Sequence, residues 1–426
     1  MNYIGPDKII EKKKEFLFPC SHHFYQDPPQ IVKGEMQYLY DAENKKYLDF
    51  FAGVSVMNCG HCNPEILKAA IHQMNTLQHT TTIYLTQPIV DLAEKLSLLL
   101  PGDMKRSFFC CTGSEANEGA LLLARLYTGR DEFIALNNSL HGRTYLTMST
   151  TQIPMWRIDP NLSDCVTFAP TFYSSEHPLE EAAQESLDAI ENIIKSKEPN
   201  KIAALITEPI QGNGGIITPP KWYFKKLKKL LEHHGILLII DEIQTGFART
   251  GKMFAIENYD IVPDIMTIAK ALGNGMPISA FCTNDEIAAS FTKPSASTLG
   301  GNPVSSSTAL AVLDYIEKHD LCENVKKLGN RLKEGLISLQ EKYPIIHDVR
   351  GIGLMLGAEL LKENKEPATK ETDFILEELK NRGILLGKNG IERNVLAFQP
   401  PLVISEEDVD FLLENLDQVL SLVSYN

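Results

Sequence analysis

The sequence predicts an α/β protein, a largely parallel sheet covered by helices and followed by a smaller α+β unit. Three observations carry that prediction. Apolar runs of strand length recur at Lys201 to Thr207, Ile236 to Ile240 and Ile265 to Ala269; each is too short for a helix and fits a strand buried on both faces. From about Ser107 to Cys282 such runs alternate with helical patterns, as a parallel sheet with crossover helices requires. After Thr298 to Pro303 the texture changes to long helices and separated strands, with no internal repeat.

In order along the chain, short apolar pairs alternate with charges up to about Asp49, and Gln37 to Asp49 reads as a hairpin turning at Glu43-Asn44. A helix is expected from Asn63, and a second, carrying Leu92, Leu96 and Leu99, stops at Pro101-Gly102. Ser107 to Cys111 is a short strand. Thr112-Gly113-Ser114-Glu115 then turns straight into a helix. Thr112 and Glu115 fit a capping box, and Gly113 lets a ligand approach the backbone, so the segment suits a phosphate as well as an ordinary cap. Asp131 to Leu136 is the next strand, and the loop after it carries His141 and Arg143. A long irregular stretch is expected from Asp159 to about Pro178.

Lys221 to His234 reads as an amphipathic helix with Phe224, Leu227 and Leu231 inward and four lysines, Lys225, Lys226, Lys228 and Lys229, outward. Beyond Pro303, helices are expected over Val304 to Lys318 and Asn324 to Lys342, one strand over Asp348 to Glu359, and a helix over Lys370 to Arg382. A strand over Val395 to Phe398 and a terminal helix capped by Ser405 complete the chain. The expected division is an N-terminal arm and small-domain segment over 1–60, a large domain over 61–310 and a small domain over 311–426.

Composition narrows the function. A formal net charge of -14 disfavours nucleic acid and anionic membranes as partners. The first residues lack the apolar core of a signal peptide and no run is long enough to span a bilayer, so a cytoplasmic protein is expected. Eight cysteines in 426 residues do not make a disulfide scaffold, and Cys59-Gly-His61-Cys62 lacks the second ligand pair of a structural zinc site, so no metal is expected.

The chemistry concentrates where two buried runs end. Asp241 closes the first and Lys270 the second, just before Gly273-Asn274-Gly275. Ligands of open α/β sheets collect at the carboxyl ends of strands, so an acid and an amine leaving neighbouring strands there can share one molecule. A desolvated amine is a nucleophile towards a carbonyl. Pyridoxal phosphate uses this pair, a lysine for the Schiff base and a carboxylate to keep the pyridine nitrogen protonated. Singly, each residue has a plainer reading, a helix cap for Asp241 and a solvated side chain for Lys270.

Further motifs accompany the pair: Asp49 to His61, Thr112-Gly-Ser-Glu-Ala-Asn117, His141-Gly-Arg143-Thr, Glu208-Pro-Ile-Gln-Gly212, Asp241-Glu-Ile243-Gln244-Thr-Gly-Phe, and Thr298-Leu-Gly-Gly-Asn-Pro303. Together they resemble the class III pyridoxal-phosphate aminotransferases, or omega-aminotransferases, over nearly the whole chain. The resemblance implies the fold type I transferase architecture: a large mixed, mostly parallel sheet domain, a small α+β domain built from both chain ends, and a homodimer with shared active sites. It implies that Lys270 is the Schiff-base lysine and proton shuttle, Asp241 the partner of the pyridine nitrogen, Gln244 the contact to the ring hydroxyl and Ile243 the lower face. Gly113 and Ser114 would hold the phosphate together with Thr298 of the neighbouring subunit, and His141 would sit beside the ring. Arg143, Val54 and Glu208 are the candidates for substrate contact.

Three positions depart from the family pattern. Leu140 stands where an aromatic residue is usual, Asn213 where many members acting on gamma-aminobutyrate have Glu, and Ala397 where an arginine commonly grips a substrate carboxylate. The C-terminal portion looks most like the alanine–glyoxylate and beta-aminoisobutyrate–pyruvate branch and its phospho-lyase relatives. The implied activity is ping-pong transamination from an omega-amino acid or related amine to a 2-oxo acid such as pyruvate, glyoxylate or 2-oxoglutarate. A lyase or epimerase on the same cofactor, such as a phospho-lyase acting on an amino alcohol phosphate, and a non-catalytic homologue are the alternatives.

Overall fold

A computed structural model describes residues 3–174, 177–198 and 200–423. Its centre is a seven-stranded sheet of β1 (Arg106–Cys110), β2 (Glu132–Leu136), β3 (Val166–Ala169), β4 (Ile202–Thr207), β5 (Leu237–Asp241), β6 (Ile265–Ile268) and β7 (Ser279–Thr283). The spatial order is β1-β7-β6-β5-β4-β2-β3. Only β7 runs against its neighbours, pairing antiparallel with both β1 and β6. The carboxyl ends of the other six strands therefore share one edge.

Alternation along the strands explains the layers. Phe133, Ile206 and Ile239 pack with Ala120, Leu121 and Ala124 of helix Gly113–Thr128. Ile134, Leu238 and Ile240 belong to the opposite core, with Leu187 and Ile190 of Leu179–Ser196 and with Phe224 and Leu227 of Tyr223–His233. Strands β4 to β6 are buried at every position, which is why they read as unbroken apolar runs.

Two four-stranded sheets flank this core. One joins Ile31–Glu35, Tyr38–Asp41 and Lys46–Asp49 to Ile384–Leu385, so both ends of the chain meet in a single sheet. The other holds Ile346–Ile352, Met355–Leu360, Val395–Phe398 and Gly387–Asn389.

Three expectations are corrected. The single strand over 348–359 is a hairpin: Gly353, at φ 59, supplies the left-handed turn between two antiparallel arms. The stretch from Asp159 to Pro178 contains β3, an edge strand of four residues paired on one side only, whose short, half-buried pattern gives little periodicity to read. Lys228 is not simply solvated, because its ammonium donates to Asp264 Oδ1 at 2.7 Å with 15% of the side chain exposed.

Helix Gly113–Thr128 rests on β7 at Gly119, where a β-carbon would lie 2.3 Å from the Phe281 ring. Phe281 is itself stacked on Phe108 at 5.0 Å and has little room to retreat. Gly119→Ala is expected to destabilise the fold by roughly 1–3 kcal/mol through overpacking, and Phe281→Leu to recover part of the loss. Denaturant unfolding measures both, and an unchanged midpoint in Gly119→Ala would mean that the helix does not depend on this contact.

Candidate active site

Asp241 is the last residue of β5, and its register partner on β6 is Thr267, three residues before Lys270. The two strands thus deliver the acid and the amine side by side at the carboxyl edge. Both line a cavity of about 450 Å³ with Gly113, Ser114, His141, Arg143, Glu208, Ile243 and Gln244.

The Asp241 carboxylate is 3% exposed and meets three donors. Oδ2 lies 2.8 Å from His141 Nδ1 and accepts from Asn117 Nδ2 at 2.8 Å, while Oδ1 accepts the Ile243 amide at 3.1 Å. The carboxylate fixes the proton of the imidazole on Nδ1. Asn117 is oriented in turn by Thr267, whose hydroxyl donates to Oδ1 at 2.7 Å, and its Nδ2 also donates to the His141 carbonyl at 2.7 Å.

Lys270 begins a single turn of 3₁₀ helix with φ 46, in the left-handed region that costs a residue with a β-carbon on the order of 1 kcal/mol. The turn is closed by Leu272 N–H donating to the Ala269 carbonyl at 3.0 Å and by Gly273 N–H donating to the Lys270 carbonyl at 3.2 Å. Burial holds the Lys270 ammonium below the usual lysine range, outweighing the opposing pull of Asp241 and Glu208. Glu208 accepts the Leu140 amide at 3.1 Å and the Gly212 amide at 2.9 Å. Its carboxyl is pushed up to about 7 by burial, with Asp241 adding to the rise and His141 opposing it.

At the start of helix Gly113–Thr128 the Thr112 hydroxyl accepts the Glu115 amide at 3.2 Å, and Glu115 Oε2 reaches back to the Cys111 amide at 2.9 Å. The cap therefore extends one residue further back than a capping box. A β-carbon at Gly113 would stand 2.8 Å from Ile243 Cδ1, so glycine is needed for the Ile243 side chain to lie against the helix start.

These residues fit pyridoxal phosphate. Two polar atoms of the wall, His141 Nε2 and Gln244 Nε2, are buried and have no hydrogen-bond partner within the protein. An aromatic ring with polar substituents beside a buried acid, a buried amine and a helix N-terminus answers that donor set. No cluster of potential metal ligands occurs among the described residues.

The expected site residues are not all in one place. Thr298 is exposed and does not line the cavity of its own chain. Val54, at φ 67, is not among the lining residues, and Val56 is. Arg143 is exposed and borders the cavity, while Ala397 is buried in its strand away from it. Sequence reasoning did not single out Asn117 or Trp156. For Asn117 a signal existed, since it lies one helical turn beyond Gly113 within the same motif; for Trp156 none did.

A family model described as aminotransferase class III matches residues 23–420. The protein from Arabidopsis thaliana named alanine–glyoxylate aminotransferase 2 homolog 2, mitochondrial, is 43% identical over 98% of this chain and 89% of its own length. Among solved structures, a thermostable (S)-enantioselective omega-transaminase from Thermomicrobium roseum superposes with a TM-score of 0.90 at 31% identity, covering 99% of each chain. An amine transaminase from an uncultivated Pseudomonas species, in its PLP-bound form, gives a TM-score of 0.90 at 29% identity, covering 96% of this chain and 99% of that one.

Lys270 yields a prediction independent of turnover. Its folded-state pKa lies below the unfolded value of 10.5, so the unfolded chain binds more protons and the buried amine costs stability at neutral pH. In the cofactor-free protein Lys270→Met is expected to raise the thermal midpoint at pH 7, with the gain shrinking as the pH approaches 10.5. A gain that persists undiminished at high pH would show that burial of the amine is not its cause.

Proposed function

This chain belongs to the class III aminotransferases, and from that premise we propose how its own residues perform the transfer. It is a pyridoxal-phosphate enzyme that exchanges an amino group between small-molecule amines and oxo acids. The bound cofactor supplies an aldehyde to receive the amino group and a protonated ring to accept the electrons left when a donor carbon loses its proton. The observation that carries the proposal is the convergence of Asp241 and Lys270, from neighbouring strands, on one cavity.

Burial holds Lys270 Nζ below the usual lysine range, and Nζ would be the nucleophile that holds the cofactor through its aldehyde. With a donor bound, Lys270 Nζ would be the base positioned to take a proton from the donor carbon and to return it. Asp241 would be the partner that keeps the pyridine nitrogen protonated, and His141 and Asn117 fix the carboxylate by meeting its Oδ2. Gln244 Nε2 would donate to the ring hydroxyl and Ile243 would cover one face of the ring, while Gly113 and Ser114, at a helix N-terminus, would hold the phosphate. A 2-oxo acid is the acceptor in the second half of the exchange.

The donor we favour is an omega-amino acid or related amine, with Arg143 at the cavity edge for its carboxylate, and with Glu208 and Val56 bounding the space. We infer a homodimer, which two features support. Thr298 is exposed, free to reach a second copy's phosphate site, and Ile83, Tyr84 and Leu85 are 83%, 66% and 101% exposed beside helix Gln87–Leu99, more apolar surface than one segment ordinarily leaves in water. No helix among the described residues is long and apolar enough to cross a membrane. Organelle fractionation with an antibody to the chain decides between the cytoplasm and the compartment named for the Arabidopsis relative.

Lys270→Ala is expected to abolish both turnover and the visible absorbance of the loaded enzyme. Asp241→Asn is expected to lower kcat on the order of 10²–10³-fold while the absorbance persists. Assays of omega-amino acid donors against pyruvate, glyoxylate and 2-oxoglutarate read both variants. Unchanged turnover in Lys270→Ala would refute the assignment, and donor consumption that does not depend on an oxo acid would refute transamination.

A further inference from the structure

Trp156 lines the same cavity as Lys270, yet it comes from a loop that none of the cofactor motifs explains. It ends the single 3₁₀ turn Pro154–Trp156, and no regular element holds it. The loop is fastened on one side by Ile153, 1% exposed, and on the other by Arg157, whose guanidinium donates to the Met148 and Ser149 carbonyls at 3.3 Å and lies over the Phe168 ring at 5.3 Å. Between these anchors the indole is half-buried. Its Nε1 donates to Asn213 Oδ1 at 3.0 Å, which fixes the direction of the ring.

Asn213 is held from the opposite side of the molecule. The Gly390 amide donates to its carbonyl at 3.0 Å, and the Asn389 side chain donates to the Gly212 carbonyl at 3.0 Å. Arg350 Nε donates to the Gly215 carbonyl at 2.8 Å. The small sheet containing Gly387–Asn389 therefore grips the loop 212–215, and Asn213 passes that grip to the indole. The pair is neutral, and an amide oxygen accepts an indole N–H without bringing a charge to the cavity wall.

We propose that Asn213 is a positioning residue which holds Trp156 as the apolar wall of the donor space, so that the pair restricts the enzyme to compact, unbranched donors and turns away arylalkyl amines. The proposal rests on the transaminase reading of the cavity and adds the determinant of its donor class. Leu140, Val56, Met276 and Ile278 share the apolar lining with it, and the ring is the largest side chain among the lining residues. Free to rotate, it no longer presents one face to the donor. The consequence is poorer binding of a compact donor with the proton transfer at Lys270 untouched, a change in KM more than in kcat.

The chain has two tryptophans, so Trp222→Phe leaves Trp156 as the sole indole emitter. In that background Asn213→Leu is expected to shift Trp156 emission in the loaded protein, measured without any donor. The same substitution is expected to raise KM for beta-alanine roughly five- to tenfold with kcat little changed, and to improve kcat/KM for 1-phenylethylamine. Asn213→Asp, which keeps an acceptor for the indole N–H but adds a charge, is expected to retain the exclusion of 1-phenylethylamine that Asn213→Leu loses. Trp156→Phe, which keeps a ring and loses the donor, is expected to make a subsequent Asn213→Leu nearly silent. Unaltered emission and selectivity in Asn213→Leu, or effects of the two substitutions that simply add, would overturn the proposal. Absence of transamination in the parent enzyme, with the emission shift intact, would instead count against the reading of the cavity and leave the Asn213–Trp156 coupling established.

Discussion

The constraint on which the site depends is the burial of the Asp241 carboxylate at the end of a strand with no solvent on either face. A buried carboxylate is tolerated only where donors meet it, and here they come from three separate elements: His141 on the loop after β2, Asn117 on the helix after β1, and the Ile243 amide just past β5. Meeting that requirement draws together the very segments a phosphorylated pyridine would touch. The same helix that supplies Asn117 begins at Gly113 and Ser114, so the amide that meets the acid and the helix N-terminus that would cradle a phosphate are held one turn apart on a rigid rod. Thr267 adds a register lock, because its hydroxyl selects the amide orientation of Asn117 and it is the strand partner of Asp241.

Around this fixed acid the other charged groups are arranged to favour their neutral forms. Burial lowers the affinity of Lys270 for a proton and raises that of Glu208. Such displaced affinities are what nucleophilic and proton-transfer chemistry near neutral pH requires. The left-handed backbone at Lys270 belongs to the same arrangement, for it turns the chain sharply as it leaves β6, and the closed 3₁₀ turn supports it.

The sheet and the acid–amine pair were legible because each rests on a local signal. Strands buried on both faces write themselves as unbroken apolar runs, and the acid and amine stand at their ends, as at Ile240-Asp241 and Ala269-Lys270. The hairpin around Gly353 was read as one strand because Gly351-Ile-Gly353-Leu carries no polar turn residue, and edge strand β3 was lost because four half-buried residues have no usable period. Asn117, Trp156 and the choice of Val56 over Val54 depend on contacts between elements more than 20 residues apart in sequence, or on left-handed residues near Gly53 that redirect the chain. No spacing rule within one segment carries that information. Family resemblance filled part of the gap, giving roles to Gln244 and Ile243 that composition and periodicity do not give.

The central claim is that one amine, at position 270, shares the cofactor with Asp241. Its most direct measurement is to load the enzyme with pyridoxal phosphate, reduce it with borohydride, digest it and locate the phosphopyridoxyl group by peptide mass spectrometry. The account predicts a single labelled lysine, in the peptide that contains Lys270. Label on any other lysine, or a reduced enzyme that carries none, would contradict it.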